Sequence, residues 1–335
     1  MKLQIFIRNL VVNSLILCSL YSCTAVRWVE MERLKPATKD IPSEVRRIAV
    51  VNNHIQPPRQ NKGKALVWPN VRMVVDSLAA NLADAFFFDE VVVLDSPLVS
   101  PSKTQYENYQ LSPQQVKHLT RILQVDMLVA VELAMFIPKA SDELGYYWPE
   151  GKVISLVKLY LPKEKTPFDT LTQSTEIYWD RVPTAEELQR DIVDIVATHP
   201  VKQIVPCWEK EEFPYYSNGC IEFRDADVCI RENDWESARS IWEKVLSHKQ
   251  ARKRMRANLN MAVWYEVNSD SISQAKFYAQ KALDLASKNE TFESGRPITP
   301  SQDYLLISDY LNNLKRREKE FLRLKGQMQR FEDVF

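Results

Sequence analysis

Apolar and polar positions follow two regimes along this chain of 335 residues. From 46 to about 205, short apolar runs alternate with stretches of helical spacing. RRIAVVNN (46–53) is an apolar run bounded by charge and asparagine, which predicts a buried strand. Val71, Val74, Val75, Leu78, Leu82 and Phe86 recur at the period of a helix face. EVVVL (90–94) predicts a second strand. In LSPQQVKHLTRIL, Ser112 stands as an N-cap, Pro113 takes the first helical position and Gln115 closes a capping box. The apolar face of that helix is Val116, Leu119, Ile122 and Leu123. VDMLVAVELAMF (125–136), KVISLVKLYL (152–161) and STEIYWDRV (174–182) predict three further strands, and Thr184 with Glu187 opens another capped helix through Leu188, Ile192 and Ile195. Pro200 should kink or end it.

The order β-α-β-α-β-β-β-α predicts an α/β domain over 46–205, with a mixed sheet because the last three strands can join as hairpins. From 206 to 220 the pattern breaks into PCWEKEEFPYYSNGC, read as a connector whose Trp208, Phe213, Tyr215 and Tyr216 pack the two domains together. Residues 23–45 are mostly polar, carry Pro36 and Pro42, and read as a tether.

Beyond 220 the spacing is helical throughout. Two related helix pairs occupy 225–286: Ala226 aligns with Ala262, Cys229 with Tyr265, Ala238 with Ala275 and Val245 with Ala282. Small residues at matching places let antiparallel helices approach closely, and Trp235, Trp242, Leu246, Phe277 and Leu283 fill the gaps. The pattern resembles the tetratricopeptide repeat, with a slightly longer period. Leu311, Leu314, Phe321 and Leu324 predict a capping helix, so 221–330 reads as an all-α, repeat-like domain.

The first 22 residues follow a different logic. Lys2 and Arg8 precede an apolar run from Leu10 to Leu20, about half the roughly 20 residues needed to cross a bilayer. That is the make-up of a signal peptide. The run ends Leu20-Tyr21-Ser22-Cys23, which resembles a bacterial lipobox. The resemblance implies cleavage between Ser22 and Cys23, acyl chains on Cys23, and stable attachment to a membrane, since two or more chains anchor a protein firmly. Thr24 replaces the aspartate that often retains lipoproteins at the inner membrane, so the expectation is an outer-membrane protein facing the periplasm.

The element order, with its IAVV first strand and VDMLVAVEL third strand, is similar to the periplasmic α/β domain of curli-secretion lipoproteins and of lipoprotein activators of penicillin-binding proteins. The whole chain resembles lipoproteins of Gram-negative gut-type bacteria whose activity is not established.

Charge and composition narrow the function. Lys plus Arg and Asp plus Glu each total 44, so the chain lacks the basic excess of nucleic-acid binders. Six glycines are too few for glycine-rich phosphate loops. Neither a cofactor nor a metal site is expected, since the sequence holds no CxxC and its four histidines (His54, His118, His199, His248) are scattered. In an oxidising periplasm Cys207 and Cys220 could form a disulfide across the connector, while Cys229 reads as a buried thiol.

The one stretch that suggests ligand contact is KASDELGYYWPEGK, where Trp148 and Glu150, with Asp142 and Glu143 nearby, could meet a glycan. The leading expectation is a non-enzymatic, lipid-anchored scaffold for an envelope protein partner. A glycan-binding or hydrolytic lipoprotein using residues 140–151 is the second reading, and an oligomeric secretion subunit the third.

Overall fold

The computed structural model describes residues 25–54, 67–98, 110–139, 150–269, 271–288 and 300–334. The chain divides into two compact units, each built from two stretches: an α/β unit (Leu34–Trp208 with Arg323–Phe335) and a helical unit (Met1–Arg33 with Glu209–Leu322).

In the α/β unit, strand β2 (Arg47–Asn52) is an inner strand of a five-stranded sheet ordered β3-β2-β4-β5-β6, with β3 at Glu90–Leu94, β4 at Met127–Pro138, β5 at Glu150–Tyr160 and β6 at Asp169–Tyr178. β2 runs parallel to both neighbours, pairing Ile48 with Val91 and with Met127. Its apolar residues are buried on both faces, as a central parallel strand requires. β4, β5 and β6 are antiparallel, as the hairpin reading expected. Asp126 holds the start of β2 by accepting from the Arg46 and Arg47 amides at 2.9 and 2.8 Å.

Helix α1 (Val71–Asp84) and helix α3 (Ala185–Ile204) share one core with the sheet, in which Val74, Leu78, Leu82, Ile192 and Val196 meet Ile48, Val50 and Val129. Helix α2 (Pro113–Leu123) belongs to a second core with Ala49, Val51, Leu128, Ala130 and Tyr160. The capping boxes at Ser112 and Thr184 form as the sequence indicates. Ile122, expected on the apolar face of α2, is exposed. Pro200 neither ends nor shortens α3, which continues to Ile204. Val201 and Ile204 carry the buried face onward, and that burial offsets the backbone hydrogen bond a proline cannot make.

β4 carries a bulge between Val131 and Leu133. Glu132, the extra residue, is buried: its carboxylate meets Lys158 Nζ at 2.7 Å and accepts from Tyr160 OH at 2.5 Å.

The helical unit contains α4 (Ile221–Arg231), α5 (Trp235–Val245), α6 (Ala251–Asn268), α7 (Ile272–Ser287) and most of α8 (Gln302–Met328). Ala226, Ala238, Ala262, Ala275 and Ala282 are fully buried, so the small positions sit inside. Phe277, expected to fill a gap, and Phe321, expected on the apolar stripe of the capping helix, are exposed. Phe277 instead lies under the Lys281 ammonium at 4.1 Å.

Two segments read as irregular are strands. β1 (Val26–Lys35) arises within the expected tether and β7 (Cys207–Tyr216) within the expected connector, and the two pair in a two-stranded sheet. Alternation marks both: Trp28, Glu30 and Glu32 of β1 and Trp208, Lys210 and Glu212 of β7 are exposed in turn with less exposed neighbours, and Val29 and Met31 of β1 pack on the helical core, as do Phe213, Tyr215 and Tyr216 of β7. The tether reading also fails beyond β1, where Ala37, Ile41 and Val45 are buried. No helix among the described residues is long and apolar enough to cross a membrane.

Candidate functional site

The α/β unit holds a cleft of about 560 Å³ beside the C-terminal end of α1. Its apolar lining comes from Leu34, Phe87, Val201, Met328 and Phe331. Asn81, Asp84, Thr198 and Lys202 add polar groups. Phe86 and Trp208 also line it, and they are unusual in being 82% and 68% exposed.

The local sequence explains the position of Phe86. Helix α1 ends at Asp84, Ala85 caps it, and Phe86 follows with φ of 51°, in the left-handed region that glycine or asparagine normally occupies. A phenylalanine there costs about 1 kcal/mol. The next residues turn inward: Phe87 and Phe88 are buried edge-to-face at 5.2 Å. The reversed backbone thus sends one aromatic ring out and the next two in.

One wall comes from the C-terminal segment, a 3₁₀ turn over Gln329–Val334. Arg330 is buried, and backbone carbonyls accept its hydrogen bonds. Its guanidinium lies 3.9 Å over the Phe87 ring and donates to the carbonyls of Ile41, Pro42, Val45 and Phe87 at 3.1–3.3 Å. Desolvation, with repulsion from Arg46, lowers its pKa to about 10. Four carbonyl dipoles, with the charge of Asp89, offset part of the burial cost, and the clasp seats Phe331 against Phe87 at 6.0 Å.

The residues singled out from sequence are dispersed. Ser22, Cys23, Asp142, Glu143 and Trp148 lie outside the described residues. Glu150 opens β5 and is ion-paired with Lys139 at 2.7 Å. Cys207 and Cys220 are not joined in a disulfide. Cys207 lines the cleft and donates to Val205 O at 3.3 Å, whereas Cys220 precedes α4 and packs with the helical core, where burial raises its pKa. The two thiols belong to different cores, which is why proximity in sequence did not produce a bridge. Cys229 is half-buried on α4.

His54 hydrogen-bonds Ala134 O through Nε2 at 3.3 Å, and burial lowers its pKa. His199 meets Gln203 at 2.6 Å and is likewise lowered by desolvation. His248 accepts from the Gln250 amide at 3.0 Å. His118 is exposed. No group of three or more metal-ligating side chains occurs among the described residues.

Sequence reasoning assigned Phe86 to a buried helix face and Trp208 to domain packing; both point to solvent. The missed signal was the position of Phe86 immediately after the last turn of a helix, where periodicity no longer applies.

These features define a class: a mixed-sheet α/β unit with an aromatic-rimmed cleft, in one chain with a helical unit. Residues 45–216, just over half the chain, match the family described as "Domain of unknown function (DUF8603)", and the chain belongs to it. Residues 224–316 match a second family described as "Domain of unknown function (DUF6340)". No curated protein matches significantly. Among solved structures, the PelC dodecamer from Paraburkholderia phytofirmans is similar at 10% identity and a TM-score of 0.30, covering 53% of this chain and 99% of that one. The hypothetical protein CT253 from Chlamydia trachomatis is similar at 11% identity and a TM-score of 0.28, covering 46% and 97%. Likenesses this slight carry neither fold nor function across.

Proposed function

We propose that this protein is a non-enzymatic, lipid-anchored scaffold of the outer membrane, facing the periplasm, that binds another envelope protein through the cleft of its α/β unit. The observation that carries the reading is Phe86, an aromatic ring held outward by an unfavourable backbone at the rim of an apolar cleft. Strain of this kind persists where surrounding structure enforces it and clusters at binding sites. Exposed aromatics over an apolar floor suit the anchor residues of a protein partner. The lipobox-like Leu20–Cys23 supports the membrane anchor, and the recurring buried alanines support reading α4–α7 as two tetratricopeptide-like hairpins, a fold suited to presenting concave surfaces.

The test is a photo-crosslinking amino acid placed at position 86 or 208 of the full-length protein in intact cells, with position 170 on exposed β6 as control. The expected outcome is a discrete adduct with the same protein from both cleft positions and none from the control. No adduct from either cleft position, or turnover of a wall substrate by the purified protein, would remove the proposal.

A further inference from the structure

The start of the helical unit bears on how close that unit comes to a membrane. Ala25 is the first described residue, and it is already fixed: its carbonyl accepts from the Ser217 amide at 2.9 Å and its side chain packs on the helical core. Two residues on, Arg27 donates to both carboxylate oxygens of Asp227 at 3.1 and 2.9 Å, while Tyr215 OH holds the same carboxylate at 2.8 Å. Near the far end of β1, Arg33 reaches the buried Glu266 at 2.8 Å. The strand is therefore bolted to the helices along its length.

We propose that the helical unit lies directly against lipid headgroups, with the beginning of β1 as its point of contact. This rests on the reading of Cys23 as acylated. Only Thr24 separates Cys23 from Ala25. Two residues extend at most about 7 Å, which is about the thickness of one headgroup layer. A slack tether over 23–45 would instead reach about 26 Å on average.

A residue of β1 itself suits that placement. Trp28 is 55% exposed, and an indole, apolar with one donor, prefers the bilayer interface.

The experiment uses the full-length, cell-processed protein reconstituted into vesicles of phosphatidylethanolamine and phosphatidylglycerol doped with a phosphatidylcholine brominated near the headgroup end of its chains. Tryptophan quenching is compared in the parent, in Trp28→Phe, and in a variant with a long Gly/Ser spacer inserted between Thr24 and Ala25. Mass spectrometry of the N-terminal peptide reports acylation of each. Quenching in the parent that is lost in both variants, with acylation intact, is the expected result. An acylated parent quenched no more than the spaced variant overturns the contact and leaves the anchor standing. Quenching that survives Trp28→Phe overturns β1 as the contact point. An unacylated parent overturns the anchor and the contact together.

Discussion

Single residues in this protein are placed by terms that a one-dimensional pattern does not contain. Phe86 continues the apolar period of α1, yet its left-handed backbone turns it outward. Phe86→Asn, which suits that conformation and gives up little buried area, should stabilise the protein by about 0.5–1 kcal/mol in urea unfolding, while losing the adduct from a crosslinker at position 208. A lower unfolding midpoint would show that the ring is held by packing and not against strain. Glu132 is the opposite case, a charge in the middle of a strand of strand-forming residues, tolerated because the bulge aims it at Lys158 and Tyr160. Glu132→Ala removes the buried carboxylate that Lys158 and Tyr160 both engage and should cost about 3–5 kcal/mol. Adding Lys158→Met should recover most of that loss; equal instability of the double variant would mean the pair is not what holds the bulge.

Elements were legible where their signals are local. Both capping boxes could be written down from Ser112, Gln115, Thr184 and Glu187, because a cap depends only on residues three apart. At the start of α3, Arg181 and then the Thr184 amide hold the Glu187 carboxyl down at about 2. A carboxylate depressed from its usual value of about 4.5 stabilises the folded state above that pH and loses the effect as pH falls toward 2. The difference in thermal midpoint between the parent and Glu187→Gln should accordingly be present at pH 7, shrink through this window and vanish at its acid end; a constant difference would contradict the cap. Gly151 was not legible as special. It sits opposite Pro138, and a Cβ there would come within 2.3 Å of the Phe136 ring and 2.7 Å of Ile137 O. Gly151→Ala should cost about 1–3 kcal/mol, read as a shift in urea midpoint, since Phe136 also packs edge-to-face on Trp179 at 5.8 Å.

At the scale of the whole molecule, the two units have separate hydrophobic cores. Unfolding should therefore depart from a single two-state transition. Glu266 is buried in the helical unit and gathers Arg33, Arg317 and Tyr310 at 2.8, 2.7 and 2.6 Å. Glu266→Ala should lower the transition of the helical unit by about 3–5 kcal/mol, while Glu132→Ala lowers that of the α/β unit. Tryptophan fluorescence and far-ultraviolet dichroism would resolve the two, and an identical shift of one common transition by either substitution would refute the division. The order of elements from β2 to α3 was readable because each run carries its own period. The unit boundaries were not: most of β1 joins the helical unit and the 3₁₀ turn joins the α/β unit, so both segments pack with partners distant in sequence.

The chain alone determined the kinds and order of the elements from β2 to α3, two helix caps, the mixed character of the sheet and the small buried positions of the helices, because these rest on hydrophobic period and on contacts within one turn or one hairpin. Tertiary structure alone decided that a polar N-terminal segment and an aromatic connector pair as strands, that Cys207 and Cys220 belong to separate cores, and that Phe86 and Trp208 face a cleft. Each of those outcomes depends on burial against residues tens to hundreds of positions away, or on a backbone reversal at a helix end, and no local spacing encodes either.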